Sequence, residues 1–202
     1  MHDSDIRRAL GQDELRQYSI DGESVIVHEF GVCAGAARVD IAVINGSLIG
    51  YELKSPSDTL NRLADQVGWY SQVFDRMTLV VASNHLAVAK RVIPRWWGVI
   101  VVRQDEAGSP LLTRIRQSRP NGHVSVHALA QLLWRDEALE ILQRHRIGAG
   151  CLSKPKRELW ARLAEALRQP ELHSEVRAAL KRRKWEYKPV SRQLRSIALP
   201  QM

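Results

Sequence analysis

Three charged residues follow Arg38 in RVDIAVINGSLIGYELKS, residues 38–55, a segment that is otherwise typical of buried strands. Asp40 falls inside an apolar run, and Glu52 and Lys54 flank a single leucine. A charge in a buried strand is costly unless it is paired or binds a metal. Alternate residues of a strand face the same side, so Glu52 and Lys54 project together. Asp40, on the adjacent strand, lies at a depth where it can meet Glu52.

This arrangement predicts a carboxylate pair with an ammonium group beside it. Two crowded carboxylates repel each other unless a cation separates them. Oxygen ligands suit a hard divalent ion, and Mg²⁺ keeps several waters that are available for chemistry. A lysine near the metal could polarise or deprotonate an attacking water and stabilise phosphate charge. The alternative is an Asp–Lys or Glu–Lys ion pair across two strands on a solvated face.

Apolar periodicity and turn residues predict the elements that position these side chains. A first helix is expected over 4–18, and Asn45, Gly46 and Ser47 predict a hairpin turn with left-handed residues. A helix follows Pro56, with Ser57, Asp58 or Thr59 as its cap. The predicted strands are 24–30, 37–44, 48–54, 77–83 and 97–102, with a short helix over 84–93.

The resulting order, α-β-β-β-α-β-α-β, favours an α/β fold with a mixed sheet flanked by helices. After Val102 turn-forming residues become frequent, and one more strand is expected around 111–115. From Val124 onward the pattern is helical. We therefore divide the chain into a core domain, 1–122, and a basic helical C-terminal region, 123–202.

The run Asp40, then Glu52-Leu53-Lys54, resembles the PD-(D/E)XK nuclease superfamily, whose restriction-endonuclease-like core is α-β-β-β-α-β. Val39 stands where that family has proline. In the following helix Gln66 and Tyr70 give Q-x-x-x-Y, which resembles the RecB-like branch, and at i and i+4 they share a helix face. The alternative is a helix whose Tyr70 is core and whose Gln66 is on the surface. The resemblance covers roughly residues 5–102.

The resemblance implies a metal-dependent nuclease that hydrolyses DNA phosphodiester bonds, endo- or exonucleolytically, with Mg²⁺ or Mn²⁺ as cofactor. It also implies an acidic residue upstream, for which Glu29 is the best candidate and Glu14 the second. Glu29 could instead pair with Arg38. The implied site comprises Asp40, Glu52 and the Leu53 carbonyl as metal ligands, Lys54 to orient or activate water, and Gln66 and Tyr70 in support.

Positive charge is concentrated in the second half of the chain. The net charge is +8, yet residues 1–102 carry 10 Lys and Arg against 12 Asp and Glu, and residues 103–202 carry 20 against 10. Such a bias suggests a polyanionic partner, most simply DNA, although solvated basic helices would look the same. The run KRRKWEYKPVSRQLR, 181–195, mixes cations with aromatic residues, which suits phosphate contacts and base stacking. Its candidates are Lys181, Arg182, Arg183, Lys184 and Trp185; the alternative is an exposed tail.

Several other functions are not indicated. There is no apolar run of about 20 residues, so no membrane span is expected, and the first residues lack the apolar region of a secretory signal. Cys33 and Cys151 do not suggest a disulfide framework, which makes the cytoplasm the default location. No Gly-rich phosphate loop or G-x-S-x-G motif is present.

Three functional hypotheses remain open at this stage. The first is the nuclease, in phage defence, repair or mobile-element processing. The second is a catalytically inactive module of the same fold that binds nucleic acid or a protein. The third is a structural adaptor in a larger assembly. A homodimer or a protein partner through the C-terminal helices is expected as a further possibility.

Overall fold

The computed structural model describes residues 1–185, in which six strands form one mixed sheet in the order β1-β2-β3-β4-β5-β6. β1, β2 and β3 pair antiparallel, β4 and β5 continue in parallel with β3, and β6 is antiparallel at the far edge. The strands are β1 (Val25–Val32), β2 (Ala37–Ile44), β3 (Leu48–Lys54), β4 (Arg76–Ala82), β5 (Gly98–Gln104) and β6 (Pro110–Arg116).

Helices cover both faces of this sheet, which is why every residue of β3 is buried. One face packs against α1 and α2, and the other against the remaining helices. The helices are α1 (Asp3–Gln12), α2 (Arg16–Ile20), α3 (Leu63–Ser71), α4 (Leu86–Val92), α5 (Val126–Ala130), α6 (Arg135–Arg144), α7 (Lys156–Ala166) and α8 (Gln169–Arg182). The predicted α/β fold, a mixed sheet flanked by helices with a helical C-terminal region, is confirmed.

Three local predictions are wrong, those of the first helix, the hairpin turn and the cap of the helix after Pro56, each for an identifiable reason. The helix expected over 4–18 is broken, because the Leu15 N–H donates to the Leu10 carbonyl, 2.9 Å away, and turns the chain so that Leu15 is buried. The hairpin contains no left-handed residue at Asn45 or Gly46. Instead the Asn45 side chain accepts a hydrogen bond from the Ser47 N–H at 2.9 Å and closes a three-residue loop.

The helix after Pro56 begins later than the predicted caps. It starts at Leu63, and Asp58 instead accepts a hydrogen bond from the Ser55 N–H at 2.6 Å. That bond folds the residues after β3 into a turn, so the chain changes direction at the end of the strand before α3 begins. The displacement places α3 across the end of β3, where its side chains can reach Glu52.

The C-terminal helices share the larger hydrophobic core with the sheet. The Ser125 N–H donates to the Gln72 carbonyl at 2.8 Å, and the Trp185 ring lies 5.7 Å from that of Phe30 on β1. The division of the chain into two regions after residue 122 therefore stays a prediction, because helices beyond that residue pack directly on the sheet. None of the helices in residues 1–185 is long and apolar enough to cross a membrane.

Arg183 fixes the end of α8 to the rest of the helical region. Its side chain is 6% exposed and pairs with Glu137 at 2.5 Å, while it also donates to the Leu132 carbonyl at 2.6 Å. The guanidinium lies 4.3 Å from the Trp134 ring and 5.4 Å from that of Trp185. Burial opposes the charge on Glu137, but hydrogen bonds from Arg183 and from the Trp134 N–H outweigh it and lower the Glu137 pKa.

We expect Arg183→Ala to lower the free energy of unfolding by about 3 kcal/mol, because it leaves a largely buried carboxylate without its partner. The control is Arg182→Ala, whose side chain is half exposed and should change stability little. Because the Glu137 pKa is lower in the folded state, the stabilisation is present above its ordinary value of 4.5 and is lost as the pH falls below it. Urea unfolding of both variants at neutral pH and at about pH 4 measures this difference; equal stability of the two at neutral pH would contradict it.

Candidate active site

The charged residues of 38–55 converge on one cleft of about 940 Å³ at the ends of β2 and β3. α1 forms one wall, α3 forms another, and the loop between β1 and β2 closes a third side. Asp40, Glu52, Leu53, Lys54 and Gln66 all line it. Glu29 lines it as well, so six of the seven residues that the nuclease resemblance selects lie at the cleft surface, and the seventh, Tyr70, lies directly behind it.

Glu52 is the most completely enclosed charge in the cleft. Its side chain is 3% exposed and accepts hydrogen bonds from Lys54 Nζ at 2.8 Å, Gln66 Nε2 at 2.6 Å and the Tyr70 hydroxyl at 2.9 Å. Lys54 reaches it because residues i and i+2 share a strand face, and Gln66 and Tyr70 reach it because i and i+4 share a helix face. The alternative of an ion pair on a solvated face is therefore inconsistent with the burial of both Glu52 and Lys54.

Tyr70 belongs to the core and to the site at once. Its ring is buried, stacked at 6.2 Å on Trp97, and its hydroxyl also lies 2.7 Å from the Arg38 carbonyl. Burial and the adjacent Glu52 charge raise its pKa, so the hydroxyl stays protonated and can donate. The same stacking buries Trp97 and leaves Trp96 partly buried against the core.

The side-chain amide of Gln66 has an oxygen that the hydrogen bonds around Glu52 do not use. While its amide nitrogen donates to Glu52, its Oε1 is buried and has no hydrogen-bond partner within the described part of the chain. A buried polar atom without a partner is costly. It is a ready acceptor for a bound water and a further oxygen ligand for a cation.

Asp40 lies where the ladder between β1 and β2 is interrupted. The pairing runs on both sides of Glu29 and Asp40 but omits these two residues, and Glu29 has a left-handed backbone with φ 55°. The Asp40 carboxylate accepts a hydrogen bond from the Leu53 N–H at 2.7 Å, just beyond the last β2–β3 backbone pair, Ile41 and Tyr51. Left-handed non-glycine residues are strained and concentrate at functional sites.

Arg7, on α1, is the site residue that sequence reasoning missed. Its guanidinium contacts Asp40 Oδ1 at 2.6 Å, Glu29 Oε1 at 2.8 Å and Asp3 Oδ2 at 2.6 Å. The i,i+4 spacing of Asp3 and Arg7 was the available signal, but it indicates an ordinary helix pair. The contact with Asp40 depends on how α1 docks on the face of the sheet, which the sequence does not display.

The carboxylates that line the cleft outnumber the cationic side chains that line it. Burial, followed by repulsion from Glu52, raises the pKa of Asp40 to about 7, although the Leu53 N–H and Arg7 act in the opposite direction. A bound divalent cation would relieve this repulsion. The donor set fits one: two carboxylates and the unpartnered Gln66 oxygen are hard oxygen ligands.

Protein ligands for such a metal are few. The described residues contain no group of three His, Cys, Asp or Glu side chains arranged to hold a metal ion. Mg²⁺ typically takes one or two carboxylates and keeps waters in its remaining positions, so the pair Asp40 and Glu52 suits Mg²⁺ better than a closed structural site. The role of the Leu53 carbonyl as a ligand stays a prediction.

The two upstream acidic candidates lie in different places. Glu29 is in the cleft wall, half exposed, and pairs with Arg38 Nε at 3.0 Å as well as with Arg7. Glu14 lies on the other face of the sheet, where it bonds the Tyr51 hydroxyl and pairs with Arg114. Only Glu29 is therefore placed to act near Asp40, through a shared arginine.

The basic run divides into exposed and committed residues. Arg182 and Lys184 are exposed and Lys181 is half-buried, whereas Arg183 and Trp185 are held by Glu137, Leu180 and Phe30. Nucleic-acid contact thus stays a prediction for the three lysine and arginine residues that remain accessible, while the guanidinium of Arg183 is already used within the fold. The rest of the run, including Tyr187, lies outside the described residues.

Comparison with known proteins gives a family match over most of the chain. A family model described as bacteriophage P4 protein cII matches residues 8–199. Protein cII of Enterobacteria phage P4 is 25% identical over 125 residues, which cover 62% of this chain and 47% of that protein. The chain thus spans about half the length of this curated relative. A solved structure of a Silicibacter pomeroyi protein of unknown function has a TM-score of 0.41 and 23% identity, covering 70% of this chain and 90% of its own.

We expect Arg7→Gln to destabilise the fold by about 2 kcal/mol, because it leaves Asp40 and Glu29 facing each other without their shared cation. The value is below that of a fully buried pair because the Glu29 side chain is 47% exposed. Arg8→Gln, an exposed neighbour on the same helix, is the control. Thermal unfolding of both variants beside the wild type tests this, and equal Tm values would mean that Arg7 is not what holds the acidic residues together.

Proposed function

The chain belongs to the bacteriophage P4 protein cII family, and from that starting point we propose that it is a metal-dependent nuclease that hydrolyses DNA phosphodiester bonds. The family's name describes no activity, so the proposal is carried by one observation. Buried Glu52 gathers Lys54, Gln66 and Tyr70 at the floor of a cleft that Asp40 also lines. The resemblance to the PD-(D/E)XK superfamily supports the same conclusion, and the cytoplasm is the proposed location.

Each side chain has a distinct task in this proposal. Asp40 and Glu52 hold Mg²⁺ or Mn²⁺, which when bound supplies Lewis-acid stabilisation of phosphate charge and a more acidic water. Tyr70 and Gln66 fix the orientation of Glu52 by donating to its two oxygens. Such supporting hydrogen bonds hold a ligand in its productive rotamer.

Lys54 lines the cleft beside Glu52. Its ammonium is held by Glu52, and the remaining two protons can donate to a water and to a phosphate oxygen. As the water oxygen bonds to phosphorus, its proton passes to solvent, the phosphorus–oxygen ester bond breaks, and the leaving oxygen takes up a proton. An ordered water and a neutralised phosphate lower the barrier to this displacement.

A second candidate function is a binding module of the same fold without catalysis. One observation favours it: Asp40 already satisfies one oxygen with Arg7 and the other with the Leu53 N–H. A carboxylate engaged in this way must exchange a partner before it ligates a metal. The cleavage and metal-binding experiments below separate the two functions.

We expect Asp40→Asn to reduce cleavage roughly 100-fold or more, because it removes an anionic metal ligand while preserving side-chain shape. The control, Asp65→Asn, makes the same substitution at an exposed position in the same cleft. Wild type and both variants are incubated with single-stranded, nicked, branched and duplex DNA and with RNA, in Mg²⁺, in Mn²⁺ and in EDTA. Metal-dependent cleavage lost only in Asp40→Asn supports the nuclease.

Two results would count against it. Absence of cleavage by the wild type on every substrate favours the binding module. Equal cleavage by Asp40→Asn and the wild type would place the chemistry elsewhere.

We also expect saturating Mn²⁺ to raise the Tm of the wild type and of Asp65→Asn by roughly 5 °C, since a ligand that binds only the folded state stabilises it. Asp40→Asn should lose most of this shift because one carboxylate of the pair is gone. Differential scanning calorimetry with and without Mn²⁺ makes the measurement, and Ca²⁺ shows whether any divalent ion suffices. Identical shifts in all three proteins would exclude Asp40 as a ligand.

A further inference from the structure

Two further concavities continue the cleft toward the C-terminal helices. The first, of about 410 Å³, shares Ala36 and Trp69 with the cleft. The second, of about 370 Å³, shares Ala34, Gln131 and Trp160 with the first. Together they form a continuous depression, which we call the aromatic groove, that leads from the mouth of the cleft to Trp134.

The charge on the lining changes sign between the cleft and the aromatic groove. The cleft is net acidic, with six carboxylates, Asp3, Glu29, Asp40, Glu52, Asp58 and Asp65, against four cations, Arg7, Arg38, Lys54 and Arg62. In contrast, the described residues that line the aromatic groove include no Asp or Glu, and four are cationic: Arg135, Lys156, Arg157 and Arg183. Arg183 is neutralised by Glu137, and Arg135 lies 3.6 Å from Asp136, so Lys156 and Arg157 provide the free positive charge. A groove of this composition complements a polyanion.

Tryptophan is exposed at both ends of the aromatic groove. Trp69 is 39% exposed where the groove meets the cleft, and Trp134 is 60% exposed at the distal end. Trp160 forms the floor between them, with the Lys156 ammonium 5.1 Å from its ring. Exposed aromatic faces in a basic groove are the combination with which proteins bind single strands, because every unpaired base offers a face for stacking.

The placement of Lys156 and Arg157 is unfavourable for α7 itself. Both lie in the first turn of this 11-residue helix, where the helix dipole disfavours cations. Both are exposed and no carboxylate lines the groove beside them. The first turn also contains one acidic residue, Glu158, but it pairs with Lys154 at 2.9 Å and not with either cation. A sequence that places cations against a local stability rule commonly does so for function. Here the two cations and the N-terminal end of α7 all present positive charge to the same groove.

We propose that the aromatic groove binds a single strand of DNA and delivers one end of it to the cleft. Bases stack on Trp69 and Trp134, and phosphates contact Lys156 and Arg157. The stacked interior of a duplex leaves no base face free for these rings, so a single strand is the occupant that uses both features. Delivery to the cleft rests on the proposed nuclease function, whereas binding in the groove does not.

The test is binding measured in EDTA, so that cleavage plays no part. Fluorescence anisotropy follows a labelled oligothymidylate, a duplex of matched length and poly-glutamate. The variants are Trp134→Ala, Trp134→Phe and the double variant Lys156→Ala/Arg157→Ala. The control is Arg103→Ala/Arg168→Ala, which removes two exposed cations that do not line the groove. Far-ultraviolet circular dichroism and Tm verify that each variant is folded.

We expect oligothymidylate affinity to fall roughly 5- to 100-fold in Trp134→Ala and to be largely restored in Trp134→Phe. The double variant should flatten the slope of log affinity against log salt by about 1.4, since each single-strand phosphate contact contributes about 0.7. The control double variant should keep the wild-type slope within error. Binding should also quench tryptophan fluorescence, and less so in Trp134→Ala.

Three outcomes would overturn the proposal. Equal affinity of the groove variants and the wild type would mean that the strand binds elsewhere. Preference for duplex over single strand would remove the role of stacking. Binding of poly-glutamate with no binding of oligothymidylate would identify an acidic protein segment as the occupant.

The outcome for cleavage is separate from these. If groove variants lose binding while the wild type cuts nothing in Mg²⁺ or Mn²⁺, the groove is established and the nuclease function fails. If the wild type cuts DNA and the groove variants both bind and cut normally, the nuclease function stands and the groove proposal fails.

Discussion

Burial of one carboxylate, that of Glu52, is the constraint on which the structure around the cleft depends. With almost no water in contact, the charge must be satisfied by protein donors. β3 supplies Lys54, and α3 supplies both Gln66 and Tyr70. The helix can do so only if it crosses the end of the strand, which requires the turn that Asp58 and Ser55 form before it. The position of α3 is therefore set by an electrostatic requirement as well as by packing.

The same requirement joins the site to the hydrophobic core. Tyr70 contributes its hydroxyl to Glu52 and its ring to a buried aromatic group with Phe74 and Trp97. Asp40 makes a corresponding link to the other face of the sheet, because its partner Arg7 lies on α1. The cleft is thus held from both layers of helices. Its geometry depends on the docking of elements that are far apart in the chain.

Sequence patterns were sufficient for features whose cause is local. Apolar runs separated by turn residues identified β2 and β3 with their bounds unchanged, since strands buried on both faces are nearly continuous in apolar residues. The strand and helix periodicities likewise placed Glu52 with Lys54, and Gln66 with Tyr70. These four residues meet because the strand face and the helix face that carry them lie against each other. Each of the two periodicities was visible in the sequence on its own.

Features with a tertiary cause escaped the sequence analysis. Arg7 looked like a helix surface residue because its partners are 22 and 33 positions away. Nothing in the sequence indicates that the backbone of Glu29 is left-handed. Arg183 appeared as one of four equivalent cations, yet Glu137 and two tryptophans enclose it. In each case the deciding contact joins residues that are far apart in the chain. Composition alone does not show whether a charged side chain makes such a contact or is solvated.

The distribution of charge shows why clustering along the chain is a poor guide to clustering in space. The run KRRK is contiguous, but the fold neutralises one member and spreads the others over the end of α8. Arg135 and Lys156 stand 21 positions apart on different helices, and the fold brings them to one groove that Trp160 also lines. The acidic cleft and this basic groove then lie side by side, joined at Trp69. A polyanion approaching this surface would be repelled by the carboxylates unless a cation neutralised them, and attracted by the groove in either case. In the proposed function the two regions would have successive tasks: the groove would hold a chain of phosphates, and the cleft, if it binds a metal, would accept the phosphate presented to it.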